Sequence, residues 1–326
     1  MNPFSAFSTR DINAAINVIP NQYGWLGQNN VFPVRPIFDK NVNIDIRNNV
    51  LSVLPIQVRG GPSSQAQHST RKMLSFVVPQ IPHDFDVLPD DVLGVRRFGD
   101  KAQEAMAQLI AERLTEARRK HDITLEFMRM AALKGVIVDH EGTTMYNLYT
   151  EFGVVKKTIN FELDVDTTNV LGKCLELVRH IEDNLLGDRM SSVDCLVSQE
   201  FFDALVDHPN VKAAYASYQE AAMRLGGDMR SGFTYGGITF REYRAVVDGE
   251  RFIAAGSGHA MPIGTGTTFA TFAAPGDFNN AVGAPGQLFY ASTKVKDHDR
   301  GYEVHTQANP LPLCMRPGTL VEVTLT

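Results

Sequence analysis

The chain has 326 residues, 44% of them hydrophobic and 21% charged, and a formal net charge of -6 at pH 7. This is ordinary globular composition, enough for one large domain or two of medium size. No stretch reaches the roughly 18 uninterrupted apolar residues of a membrane span, Met1 to Arg10 lacks a secretion-signal pattern, and the acidic balance disfavours a protein that grips phosphate backbones.

Residues 1 to 45 scatter Phe4, Phe7, Ile12, Ile16, Trp25, Leu26 and Phe32 among Asn, Gln, Gly and Pro with no sustained period. This predicts an extended arm with one short helix. Such residues make no core alone, so they dock on another part of the protein or on a neighbouring copy. Val42, Ile44 and Ile46, and later Leu74, Phe76 and Val78, alternate with polar residues. Strands over 42–58 and 73–88 follow, paired as a long hairpin. Its tip, from Arg59, Gly60, Gly61 and Pro62 to Arg71 and Lys72, is polar and rich in turn formers. A ribbon of this kind is marginal in water and needs a surface to lie on.

Between 100 and 134, Ala102, Met106, Ile110, Leu114, Ala117, His121, Leu125, Met128 and Ala132 step by threes and fours along one face, the mark of a long amphipathic helix. Asp100 suits the N-cap, Glu116 and Lys120 form an i,i+4 pair, and Gly135 supplies the stop. At 1.5 Å per residue the helix spans roughly 50 Å, more than a compact domain usually needs. The steps hold no strict heptad, which argues against a coiled coil.

Thr143 to Leu163 reads as a hairpin-like segment in which Val154 to Phe161 is a strand. A helix over 168–186 ends at Gly187, a buried strand occupies Val193 to Val197, and Ser198 caps a short helix that stops at His208 and Pro209. A further helix runs to Leu225. Ile238–Val246 and Phe252–Ala255 flank Asp248-Gly249, a hairpin signal. Gln287–Val295, Tyr302–Gln307 and Leu320–Leu325 are further strands.

Catalytic patterns are incomplete. His83, Asp84, Asp86, Asp90 and Asp91 match no calcium loop or zinc spacing, and Asp297, His298 and Asp299 lack a distant ligand set to complete them. Gly256, Gly258, Gly264 and Gly266 precede neither a Gly-Lys-Ser/Thr end nor a third glycine opening a helix. Ser257 lies outside a Gly-x-Ser-x-Gly elbow. Cys174, Cys195 and Cys314 are odd in number and far apart, so neither a disulfide framework nor a metal knuckle is indicated, and a reducing cytoplasm fits. No cofactor, metal or catalytic residue is assigned.

The order of elements resembles the phage capsid fold typified by the HK97 shell, and more closely its lambda-like branch of tailed-phage major capsid proteins. The carrying stretches are Ala14-Ala15-Ile16-Asn17 with Pro20, Arg59-Gly60-Gly61, Val78-Pro79-Gln80-Ile81-Pro82-His83, Ala132-Leu133-Lys134-Gly135 and Asn309-Pro310-Leu311-Pro312-Leu313. Each is weak alone, while their order covers nearly the whole chain. The resemblance implies an α+β fold divided into an N-terminal arm (1–41), an E-loop hairpin (42–90), a peripheral domain with a spine helix (91–167), an axial domain (168–300) and C-terminal strands returning to the peripheral domain (301–326). It implies a shell of hexamers and pentamers enclosing double-stranded DNA without sequence-specific binding, located in the virion and assembled in the host cytoplasm. A separate scaffold protein, a portal and an outer decoration protein are its implied partners. Intersubunit contacts are expected from Arg59, Gly60, Gly61, Arg71 and Lys72 of the loop and from Phe4, Phe7, Ile16 and Trp25 of the arm, so that deleting residues 1–30 should leave a folded monomer that assembles poorly. Met106, Ile110 and Leu114 of the spine helix should pack on the peripheral sheet. Lys72, the only lysine of the loop, lacks apolar surroundings that would lower its pKa, which predicts a non-covalent shell. A tail-tube or baseplate component is the second reading, and a hydrolase the third.

Overall fold

A computed structural model of the chain describes residues 24–47, 71–93, 102–139, 141–214, 230, 232–247 and 250–326. The N-terminal half contains α1 (Trp25–Gln28), β1 (Val34–Pro36), β2 (Asn41–Arg47), β3 (Arg71–Val77), β4 (Ile81–Val87), α2 (Pro89–Leu93) and α3 (Ala102–Lys134), then β5 (Val136–Val138), β6 (Thr144–Asn147), α4 (Leu148–Phe152) and β7 (Lys157–Asn160). There follow α5 (Val170–Asn184), β8 (Ser192–Val197), α6 (Gln199–Asp207), β9 (Phe233–Tyr235), β10 (Ile238–Glu242), β11 (Val246–Val247) and β12 (Glu250–Arg251). The last strands are β13 (Ser257–Ile263), β14 (Phe269–Ala273), β15 (Phe289–Val295), β16 (Tyr302–Ala308), β17 (Pro310–Cys314) and β18 (Val321–Thr324).

The long helix α3 organises the chain. Its stripe is buried: Ile110, Leu114, Ala117, His121, Leu125, Met128 and Ala132 are nearly inaccessible. Gly135 ends the helix at φ +80°, a left-handed conformation that favours glycine. A Cβ there would lie 2.3 Å from the Tyr149 ring. Glu116 and Lys120 pair at 3.6 Å on the exposed side. Asp100, the expected N-cap, is outside the described residues.

Three sheets surround α3. A three-stranded sheet in the order β15-β16-β4 packs Val87, Phe289, Ala291, Tyr302, Val304 and Ala308 against Ile110, Leu114 and Leu125 of the helix. A second sheet, β1-β14-β17, contributes Phe269, Phe272, Leu311 and Leu313 to a core shared with the second half of α3. The third is six-stranded, β7-β18-β13-β8-β10-β9. Its central strand β8 is buried from Val193 to Val197, with β13 antiparallel on one side and β10 parallel on the other. Helices α5 and α6 cover it, burying Val170, Cys174, Leu177 and Ile181 at helical spacing and then Phe201, Phe202 and Leu205. The caps are side chains: Asn169 accepts from Gly172 N at 3.0 Å and Ser198 from Phe201 N at 3.3 Å.

Several expectations are corrected. The segment 73–88 is two strands. β3 pairs with β2 as expected, with Val42 opposite Phe76, but after Pro79 the chain passes to another sheet, where β4 pairs with β16. Pro82 is tolerated there because β4 is an edge strand. The hairpin over 143–163 is instead β5 with β6. Asn147 then starts α4 by accepting from Tyr149 N and Thr150 N, and Val154–Phe161 is reduced to β7, parallel to β18. The hairpin around Asp248 shrinks to β11 and β12, because Ile238–Glu242 is engaged with β8. Residues 209–214 are helical, and the rest of the helix expected to reach Leu225 is outside the described residues.

Strand pairing also crosses the segments read from the sequence. β15, placed in the axial segment 168–300, lies on the long helix with β16 and β4. β18, placed among strands returning to the peripheral domain, pairs with β13 and β7 inside the six-stranded sheet. Hydrogen-bonded pairing between distant segments decides both, and no local signal in either strand names its partner.

Candidate functional site

The resemblance places the candidate site on the surfaces and supports that would present arm and loop to other copies. Of the residues singled out from sequence, Phe4, Phe7, Ile16, Arg59, Gly60 and Gly61 lie outside the described residues. Arg71 and Lys72 open β3, opposite Arg47 and Ile46. Met106, Ile110 and Leu114 face the β15-β16-β4 sheet, Met106 at its margin.

Trp25 lies against its own chain. It opens α1, which docks on the same chain, where Leu26 and Phe32 are buried in the core around α3. The guanidinium of Arg241 lies 5.1 Å from the Trp25 ring centroid, and Arg241 is held by Asp194 at 2.8 Å. Residues 24–36 are therefore part of the folded body, and deleting 1–30 would strip core residues along with the arm. The root of the loop also lies on its own chain. Val42, Leu74 and Phe76 are buried, and Phe76 meets the Tyr146 ring edge-on at 5.1 Å. The other face of β3 carries Met73 and Val77, 71% and 52% exposed.

Glu126 is the residue that sequence reading passes over. It is 2% exposed, and its carboxylate accepts from Leu26 N at 2.9 Å, from Gly27 N at 3.0 Å and from the Tyr243 hydroxyl at 3.1 Å. Arg129 adds a contact at 3.5 Å. Burial pushes the Glu126 carboxyl up, against the opposing pull of Arg129 and the backbone donors. Gly24, which precedes α1, supplies no side-chain cap, so a carboxylate about one hundred residues away serves instead. A Cβ on Gly24 would fall 2.0 Å from the Glu126 carboxyl carbon.

Other charges are buried on the same helix. Arg118 donates to Asp122 at 3.0 Å and lies 3.5 Å over the Phe289 ring. His121 meets the Thr306 hydroxyl at 3.1 Å and the His83 ring edge-on at 6.2 Å. Burial first, then His83 and Arg118, pushes its imidazole down to about 4. His121 lies on the stripe itself, while the only sequence signal for Arg118 and Asp122 is their i,i+4 spacing next to it, which resembles a solvated face.

The clusters that suggested chemistry are tied into the fold. Asp84 bonds His305, Asp86 pairs with Lys296, and Asp91 accepts from Leu88 N at 3.0 Å. Among the described residues no three His, Cys, Asp or Glu side chains are placed to hold a metal ion. The three cysteines are buried and free. Burial raises all three thiols, Cys174 and Cys314 to about 12.

This architecture is that of phage capsid proteins. The crystal structure of the putative capsid protein of an E. coli CFT073 prophage matches with a TM-score of 0.59 at 14% identity, over 98% of this chain and 99% of that one. The mature capsid of bacteriophage PhiM1 matches with a TM-score of 0.52 at 14% identity, over 94% and 88%. The chain belongs to the family described as phage major capsid protein E, whose profile matches residues 8–325. Curated relatives include the major capsid protein of Salmonella phage Felix O1 (isolate Felix O1-VT1), 30% identical over 98% of this chain and 96% of that protein. The major capsid protein of Pseudomonas phage KPP10 is 29% identical over 97% and 96%.

Proposed function

We propose that this chain builds the icosahedral head of a tailed phage, assembling into hexamers and pentamers around double-stranded DNA and acting by association rather than catalysis. The observation that carries this reading is the family match along nearly the entire chain. A scaffold protein during assembly in the host cytoplasm, a portal and an outer decoration protein are the further partners. Residues 1–23 and the loop around Arg59, Gly60 and Gly61 contact neighbouring copies, with Arg71 and Lys72 making charge-assisted contacts at the loop base. The exposed Met73 and Val77 face of β3 supplies apolar area beside them. The net charge of -6 suits a wall past which packaged DNA must move without being held.

The chain expressed with a scaffold should give closed shells by electron microscopy, and deletion of residues 2–23 should leave a folded subunit that does not close them. Boiling mature particles in detergent should release one band near 36.0 kDa. Discrete disordered subunits, or tail-like tubes of fixed diameter from the full chain, would sink the reading.

A further inference from the structure

We propose that Glu126 is a positioning residue for assembly, clamping the root of the N-terminal arm to the long helix so that residues 1–23 set out from one fixed point. This rests on the reading that those residues touch neighbouring copies.

The clamp has three parts. Two consecutive backbone N–H groups, of Leu26 and Gly27, point at the Glu126 carboxylate. Without it they would be orphan donors at the start of a helix, the Leu26 group in a buried setting. The Tyr243 hydroxyl, reaching from just beyond β10, fixes one carboxylate oxygen, and Arg129 supplies the countercharge one turn along the same helix. Trp25 faces Arg241, which is tied to Asp194 in β8 of the six-stranded sheet. Residues 24–28 are thus held at once by α3 and by that sheet. Tilting α3 against the sheet would pull the carboxylate from the N–H groups or Trp25 from Arg241. Gly24 is the exit point. Its φ of +78° and the absence of a Cβ let the backbone lie against the carboxylate.

A plain structural role would need none of this aim, because Leu26 and Phe32 already supply the apolar burial. What the carboxylate adds is direction: two parallel charge-assisted bonds fix the axis of α1, and with it the vector along which the preceding chain departs.

Trp25 is the only tryptophan in the chain, so its fluorescence reports docking directly. Glu126→Gln presents an amide NH2 to one of the two N–H groups and keeps the size of the side chain. It should raise acrylamide quenching of Trp25 at least about twofold and lower the yield of closed shells about tenfold, as expected for losing one charge-assisted bond. Far-ultraviolet circular dichroism should be unchanged. Tyr243→Phe, which leaves both N–H bonds in place, should give a smaller change in each. Should Glu126→Gln be insoluble, Gly24→Ala tests the same contact from the other side, because its Cβ cannot coexist with the carboxylate in place. Unchanged quenching in both Glu126→Gln and Gly24→Ala would overturn the clamp. Undocked Trp25 with a wild-type yield of shells would overturn its role in assembly. The chain lacking residues 2–23 separates the two ideas. If it assembles normally, the arm reading fails, and the quenching series still decides whether Glu126 holds the root.

Discussion

The two halves of the long helix bury different chemistry. From Met106 to Leu114 one apolar edge faces the β15-β16-β4 sheet, and the remaining positions are mostly exposed. From Ala117 to Leu133 the helix is covered on several sides by the arm root and the strands β13, β16 and β17, in a core shared with the loop root and β14. Arg118, His121, Asp122, Glu126 and Arg129 are all at most 7% exposed there. The contrast shows that an amphipathic pattern describes a helix with one neighbour and fails where it has several. Charges in the second half are retained because partners satisfy most of their polar atoms, at a desolvation cost that apolar residues would avoid.

The largest expected effect lies in the first half. Ile110→Asp places a carboxylate against Val87 and Phe289 with no partner, and should cost about 5 kcal/mol in chemical unfolding of the unassembled subunit. A soluble variant with wild-type stability would show that this edge is not covered in solution.

The second half should respond to how a charge is removed. Arg118→Ala strands the buried Asp122 and should cost about 3–5 kcal/mol, while the double variant Arg118→Met, Asp122→Leu should fall within about 1 kcal/mol of wild type or exceed it. Equal losses in single and double variants would mean that the packing of Arg118 over Phe289 matters and the charge pairing does not.

The smallest effect is a pH dependence. An unfolded His121 takes up its proton near pH 6.5 and the folded one only near about 4. Between those values the unfolded state binds more protons, so this group's contribution is present above pH 6.5 and is lost, by up to about 3 kcal/mol, as pH falls toward 4. Asp122 and Glu126, whose carboxyls burial pushes upward, act with the opposite sign. The difference between wild type and His121→Asn therefore isolates the histidine, and parallel stability curves for the two would contradict its burial between helix and sheet.

Local signals fixed the elements that obey one period or one cap. The stripe of α3, the Gly135 stop, the Ser198 cap, the alternation within β2 and within β3 and the buried run of β8 could all be read from neighbours a few residues apart. β17 could not: Pro310 and Pro312 argue against a strand, and they are accommodated because β17 sits at the edge of its sheet. The resemblance in motif order was enough to indicate a capsid protein. It did not say that Trp25 and Leu26 belong to the body.

Tertiary structure alone decided which strands share a sheet, where 73–88 changes partner, and why Glu126 is buried. Each depends on groups far apart in sequence, as with Leu26 N and the Glu126 carboxylate. A single chain read in order carries the propensity of every segment and no measure of the desolvation that selects among their partners.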